Sequence, residues 1–263
     1  MNAIAETSRA AGSRWGGIRG YWGAEAGTKT ASAPKFRQME LTLKKLIGLC
    51  YATDELLADA AALESVIMQG FSEEFGFLLD DGLINGTGAG QPLGIMNSPS
   101  LVTVTRNTAL HVYSEDVIAM WARCWAKSRP NAVWFINQAV EPELHKLNLG
   151  GGTAGSGVIL TYMPPGGLSA SPYGTIYGRP VIPIEQCAAL GTTGDIILAD
   201  FSEYVMIEKG GMQSASSIHV RFVNDETTFR FVMRVDGQPA WNAPLTPYKG
   251  TGTLSPFVVL STV

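Results

Sequence analysis

The chain has 263 residues, 46% of them hydrophobic and 16% charged, enough to bury one large core or two smaller ones. No run of about 18 uninterrupted apolar residues occurs, which excludes a membrane-spanning helix. A formal net charge of -4 leaves no basic surface for wrapping a nucleic-acid backbone.

Three cysteines, Cys50, Cys124 and Cys187, are odd in number, far apart and without metal-ligand spacing, so buried free thiols in a reducing compartment are expected. The opening residues, MNAIAETSRAAGS, carry no apolar signal region, which argues against secretion through a signal peptide. Residues 13 to 34 combine five glycines with Trp15, Tyr21 and Trp22 and almost no aliphatic side chains. Such a segment cannot build its own core, yet its aromatics are poorly suited to water, so they should find partners elsewhere. Lys35 to Thr53 alternates, with Met39, Leu41, Leu43, Ile47, Leu49 and Tyr51 on the expected dry side and Gln38, Glu40, Thr42 and Lys44 on the wet one. Together the two segments read as a two-stranded hairpin arm; the alternative is a flexible extension before an ordinary edge strand.

Thr53 and Asp54 can cap a helix, with Glu55 in its first turn. A spine helix is predicted from about Ala60 to Asn85, roughly 39 Å at 1.5 Å per residue. Its apolar face is Leu63, Val66, Ile67, Phe71, Phe75, Leu78, Leu79 and Leu83. Gly86 should end it in a left-handed conformation. Gly70 and Gly76 lie inside it at a cost of about 1 kcal/mol each, for which close approach of another backbone is one reason. A second helix is signalled at Ser114, with Glu115 and Asp116 in its first turn, and ends at Arg129-Pro130. Val133 to Ile136 reads as a strand and Asn137 caps a short helix through Leu147. Gly150 to Gly157 reads as a loop, and short strands follow at Val158 to Tyr162, Pro180 to Ile184 and Asp195 to Asp200. Two longer strands within Ser217 to Arg234 are joined by an Asn224-Asp225 turn, and Phe257 to Leu260 closes the chain.

No constellation for catalysis emerges. His111, His145 and His219 are far apart, with no HExxH or Cys/His metal spacing. The Gly86 to Gly90 run lacks GK[ST], fails GxGxxG and follows a helix, so a turn is expected there. Ser156 lies in AGSGV, which fails the nucleophile-elbow spacing. Glu73-Glu74 and Asp80-Asp81 read as the solvated face of the helix. No catalytic, cofactor or metal residues are therefore assigned, and an enzyme is not expected.

The order of these pieces resembles the major capsid proteins of tailed bacteriophages, the Hong Kong 97 type, whose fold encapsulins share. The stretches that carry it are TLKKLIGLCYATDELLAD (Thr42 to Asp59), LLDDGLINGTGAGQPLGI (Leu78 to Ile95), WFINQAVEPELHKL (Trp134 to Leu147), YGRPVI (Tyr177 to Ile182), GDIILADFSEYVMIEKGG (Gly194 to Gly211) and FRFVMRVDGQP (Phe229 to Pro239). They are collinear over about residues 15 to 263. The resemblance implies an α+β fold in three parts: an amino-terminal remnant and extended E-loop at 1–46, a P-domain of spine helix on sheet at 47–110 and 204–247, and an A-domain at 111–203 and 248–263. It implies self-assembly into pentamers and hexamers that close an icosahedral shell around double-stranded DNA, held without sequence-specific binding. The shell would form in the host bacterial cytoplasm and be found in the virion. Scaffold, portal or decoration proteins are implied partners, and no membrane is.

On this reading Trp15, Tyr21, Trp22 and Lys29 are candidate subunit contacts, and the glycine loop at 150–157 is axial or surface-lying. Two departures from the family pattern stand out. The chain begins almost at the E-loop, as a processed or truncated form or one scaffolded by another protein would. Some relatives join a lysine to an asparagine across subunits; Lys29, Lys35, Asn224 and Asn242 are available here, but no motif selects a pair, so no covalent crosslink is expected. An encapsulin-like compartment shell is the alternative within assembly proteins, and a hydrolase using His145 or His219 the alternative from another class.

Overall fold

The computed structural model describes residues 2–4, 6–23, 25, 27–28, 31–59, 63–149, 159–160, 162–164 and 173–263. In chain order the strands and helices are β1 (Asn2–Ile4), β2 (Phe36–Gln38), β3 (Lys44–Thr53), α1 (Asp54–Asp59), α2 (Leu63–Asn85), β4 (Val102–Thr105), α3 (Ser114–Arg123), β5 (Val133–Ile136), α4 (Glu141–Leu144), β6 (Asn148–Leu149), β7 (Ile159–Leu160), β8 (Tyr162–Met163), β9 (Thr175–Ile176), β10 (Arg179–Pro183), β11 (Ile196–Ala199), β12 (Tyr204–Glu208), β13 (Gln213–Arg221), β14 (Glu226–Pro239) and β15 (Phe257–Ser261). They gather into two compact units, one of residues 1–40, 98–204 and 239–263, the other of 41–97 and 205–238. Residues 98–110 and 239–247 thus lie with the unit that holds β5, not with the spine helix.

The first unit is built on a seven-stranded sheet in the order β4-β15-β11-β5-β10-β9-β8. β5 and β10 run parallel, as do β15 and β4, and the other pairs are antiparallel. β11 is buried throughout and β15 nearly so, which is why their sequences read IILA and FVVLS without alternation. Helix α3 lies against β4 and β15, contributing Val117 and Met120 to a core with Trp134, Ile136, Val181, Leu198 and Val258. Its start is fixed by Asp116, whose Oδ2 accepts from Tyr113 N and Oδ1 from Asn107 N, each at 3.0 Å. Ser114, the expected cap, is instead the first helical residue. The helix stops at Arg123, short of the predicted Arg129-Pro130 end, where Cys124 turns into an extended conformation. Trp121 stacks between Trp134 and Tyr177, and the Arg129 guanidinium covers it at 5.0 Å.

In the second unit α2 packs on a four-stranded antiparallel sheet. β14 sits between β13 and β3, and β12 also pairs with it. The spine helix runs Leu63–Asn85, preceded by the separate α1; residues 60–62 lie outside the described residues. Its buried stripe is narrower than predicted. Ile67, Phe71 and Phe75, four residues apart, meet Phe229, Phe231 and Met233, with Phe71 stacked on Phe231 at 4.3 Å, while Val66 and Leu78 are exposed. Gly86 ends the helix for a different reason from the one predicted. A Cβ there would lie 2.2 Å from both Gly82 O and Pro92 O, so the position needs a close backbone crossing, and the left-handed residues are Gly88 and Gly90.

Two sequence expectations fail at β3. The alternation predicted for Lys35 to Thr53 continues only through Lys44–Thr53, and its faces are reversed. Leu46, Gly48, Cys50 and Ala52 face the helix, while Ile47, Leu49 and Tyr51 are 57%, 50% and 40% exposed. The cause is the bulk of the helix: a Cβ at Gly48 would sit 2.5 Å from the Phe71 ring, so the missing side chain at that position is what lets the phenylalanine approach. Among the described residues the predicted arm hairpin does not pair its two expected segments either. β2 pairs with β1, register Asn2↔Gln38 to Ile4↔Phe36, and β3 pairs with β14, Thr53↔Glu226 to Lys44↔Val235.

Candidate assembly surfaces

The arm is tied at its base, and Tyr21 and Trp22 beyond the ties are exposed. Arg9 N donates to Thr246 O at 2.8 Å, Thr246 N to Thr7 O at 2.9 Å, and Lys35 N to Gly16 O at 2.7 Å. Trp15, held at a left-handed φ of 50°, lines a hollow of about 260 Å³ with Ile4, Trp125, Trp241 and Leu245. Trp241 Nε1 donates to Glu203 at 2.9 Å and its ring meets Trp125 edge-on. Tyr21 is exposed beside a separate groove lined by Arg19 and Lys35, and Trp22 is fully exposed. Of the four predicted contact residues, therefore, Trp15 has intrachain aromatic neighbours, Tyr21 and Trp22 project freely, and Lys29 lies outside the described residues, as does the predicted loop at 150–157.

The second unit exposes more apolar surface than any core argument requires. At the β13–β14 hairpin Ile218, Val220 and Phe222 are exposed, and Val223 is 94% exposed two residues before Asp225, whose φ of 49° makes the turn. On the sheet face away from α2, Ile47 and Val232 stand opposite each other, with Leu49 opposite Arg230 and Lys45 opposite Arg234. Lys45, Lys209, Arg230 and Arg234 line a groove of about 420 Å³ with Gln213, Ser214, Ala215 and Val232; no carboxylate lines it. Sequence reading missed this face because it placed Ile47, Leu49 and Tyr51 in the core. The signal available was the RFVMR spacing, which puts Arg230, Val232 and Arg234 on one side of a strand.

Chemistry is sparse. Among the described residues no group of three or more His, Cys, Asp or Glu side chains could hold a metal ion. Cys124 and Cys187 are buried free thiols, as expected, with burial pushing them up to about 11 and about 12, so neither is a thiolate at neutral pH; Cys50 is free and half-buried. Two of the histidines have close neighbours: His111 faces Glu143 at 3.2 Å and His145 meets the Tyr162 ring edge-on. The one fully buried ion pair among the described residues, Arg106 with Asp195, ties the end of β4 to the Gly191 turn, with Arg106 Nη1 donating to His111 O and Gly191 N to Asp195 Oδ2, each at 2.8 Å. No described helix is long and apolar enough to cross a membrane.

The described residues thus form two cores, with exposed apolar side chains on the arm, the β13–β14 hairpin and the cationic sheet face among other places. The sequence model of the phage capsid family matches residues 4–250, and the chain belongs to that family. Its structure is similar to the capsid subunit of a native GTA particle, with a TM-score of 0.74 at 16% identity over 100% of this chain and 84% of the other. It is similar also to a protein of Microbacterium phage Oxtober96, with a TM-score of 0.68 at 16% identity over 100% and 85%. The encapsulin SrpI of Synechococcus elongatus matches with a TM-score of 0.53 at 12% identity, over 88% of this chain and 77% of that one. A search of curated proteins finds no matching sequence. The α+β phage capsid fold implied by the sequence is thus the fold observed, and the protein is a capsid shell protein.

Proposed function

We propose that the chain is the major capsid protein of a tailed phage, assembling into pentamers and hexamers that close an icosahedral shell around double-stranded DNA. The observation that carries this reading is the likeness of the entire chain, not of one domain, to the capsid structures of native and empty GTA particles. The arm at 1–46 acts as the E-loop that reaches a neighbour, and Trp15, Tyr21, Trp22 and Lys29 serve as its contacts. The helix-on-sheet unit takes the part of the P-domain and the seven-stranded unit that of the A-domain. The genome is confined by the shell without base readout, which suits a subunit of net charge -4. The role is structural, with no reaction to catalyse, no covalent crosslink between subunits, and scaffold, portal or decoration proteins as partners. Assembly in the host cytoplasm and residence in the virion follow from it.

The test is negative-stain microscopy of the purified protein. Closed shells or capsomer rings are expected, and a strictly monodisperse monomer with hydrolytic turnover would sink the proposal. The encapsulin likeness supports one second reading, a compartment shell around cargo enzymes. Neighbouring genes separate the two: terminase and portal genes favour the phage shell, a peroxidase or ferritin-like gene the compartment.

A further inference from the structure

The cationic groove of the second unit has no internal explanation. Lys45 and Arg234 are direct cross-strand neighbours, a like-charge pairing that destabilises a sheet, and Arg230 and Lys209 line the same groove. Among the described residues none of these four side chains has an ion-pair partner. Glu208, which approaches Gly211, does not line the groove. Four cations and an apolar strip of Ile47, Leu49 and Val232 are kept together in a chain that is otherwise acidic.

The same unit carries the complement on its other side. Helix α2 contains five carboxylates, Glu64, Glu73, Glu74, Asp80 and Asp81, and no lysine or arginine. Val66, Glu73, Phe77 and Asp80 follow one another at helical spacings of seven, four and three residues, which places them on one outward stripe. Both apolar members are exposed, Val66 at 62%. The dimensions agree. Glu73 and Asp80 are about 10 Å apart along the axis at 1.5 Å per residue. Arg230 and Arg234 are about 13 Å apart at 3.3 Å per residue, a difference that long side chains span.

We propose that the groove of Lys45, Lys209, Arg230 and Arg234 receives the α2 stripe of a second copy of this chain, with Glu73 and Asp80 pairing the arginines and Phe77 covering Ile47 and Val232. Because each copy offers the stripe on one face and the groove on the other, the contact is head-to-tail, the kind that propagates into rings or larger assemblies instead of stopping at a dimer. The proposal rests on the shell reading.

Charge exchange tests it. Arg230→Glu with Arg234→Glu, and separately Glu73→Lys with Asp80→Lys, should each raise the protein concentration needed for assembly at least about tenfold, since like charges then face each other. The chain carrying all four substitutions should recover assembly, because groove and stripe are again complementary. Circular-dichroism melting of each variant near the wild-type temperature shows that folding is intact. Variants that assemble like the wild type, or a fourfold variant that folds but stays unassembled, overturn the contact. So does a groove variant that assembles normally but loses retention of duplex DNA, which would make the groove a phosphate site. Wild-type protein that never assembles overturns the shell reading, and this contact with it.

Discussion

At the scale of single residues, the sequence shows what is apolar but not which apolar side chains meet. Gly48 is the plainest case. Nothing in the alternation around it marks the residue, yet the Phe71 ring occupies the space its side chain would need. Gly48→Val should therefore cost about 1–3 kcal/mol by overpacking, read as a lowered denaturant midpoint of the unassembled subunit with an unchanged slope. Asp195 was likewise unmarked. Burial pushes its carboxyl above the usual range, against the pull of the Gly191 N–H and the Arg106 guanidinium. The unfolded chain then gives up this proton first, near pH 3.9, while the folded chain holds it to higher pH. Over that interval the folded state binds more protons, so Asp195 makes stability fall as pH rises, and the effect levels off once the folded carboxyl ionises. In urea titrations from about pH 4 to about pH 7, Asp195→Asn should remove that downward component. A stability difference between the two proteins that does not vary with pH would refute the assignment.

At the scale of elements, the periodic signals were legible and the pairings were not. The 3.6-residue repeat announced α2, and the predicted strand at Val133 to Ile136 is β5. By contrast β4, with its modest VTVT, gave no sign of pairing with β15 more than 150 residues later, and β3 was assigned the wrong wet face, because the choice of face is made by a helix elsewhere in the chain. The interior glycines of α2 belong to this scale. A Cβ at Gly70 or Gly76 would meet nothing within 4 Å among the described residues, so the close approach invoked for them is absent there. Gly70→Ala and Gly76→Ala should each stabilise the isolated subunit by up to about 1 kcal/mol through helix propensity alone. If Gly70→Leu also leaves stability intact but hinders assembly, the position is reserved for a neighbouring copy. Assembly at the wild-type concentration would leave it a residue without a contact role.

At the scale of the whole molecule, the most specific signal in the sequence was the collinear order of six stretches that resembles the capsid family, and the family match over residues 4–250 agrees with it. The arm makes the last prediction, and Trp22 is its sharpest member. Its ring is fully exposed in the single chain, so truncation removes no packing and should change subunit stability by no more than about 0.5 kcal/mol, the range of ordinary surface substitutions. For a chain of this size that is a shift in melting temperature of about 1–2 °C. A tryptophan buried between subunits costs about 2 kcal/mol or more when truncated, roughly a thirtyfold loss per contact, repeated at every contact around a ring. Trp22→Ala should therefore abolish or strongly retard shell formation while the subunit melts almost as before. Trp15→Ala supplies the internal comparison, because Trp15 already lines a hollow with Trp125 and Trp241 and its loss should lower the melting temperature as well. Equal loss of assembly and melting temperature at Trp22 would place that ring in a subunit core and remove the arm from the contact surface.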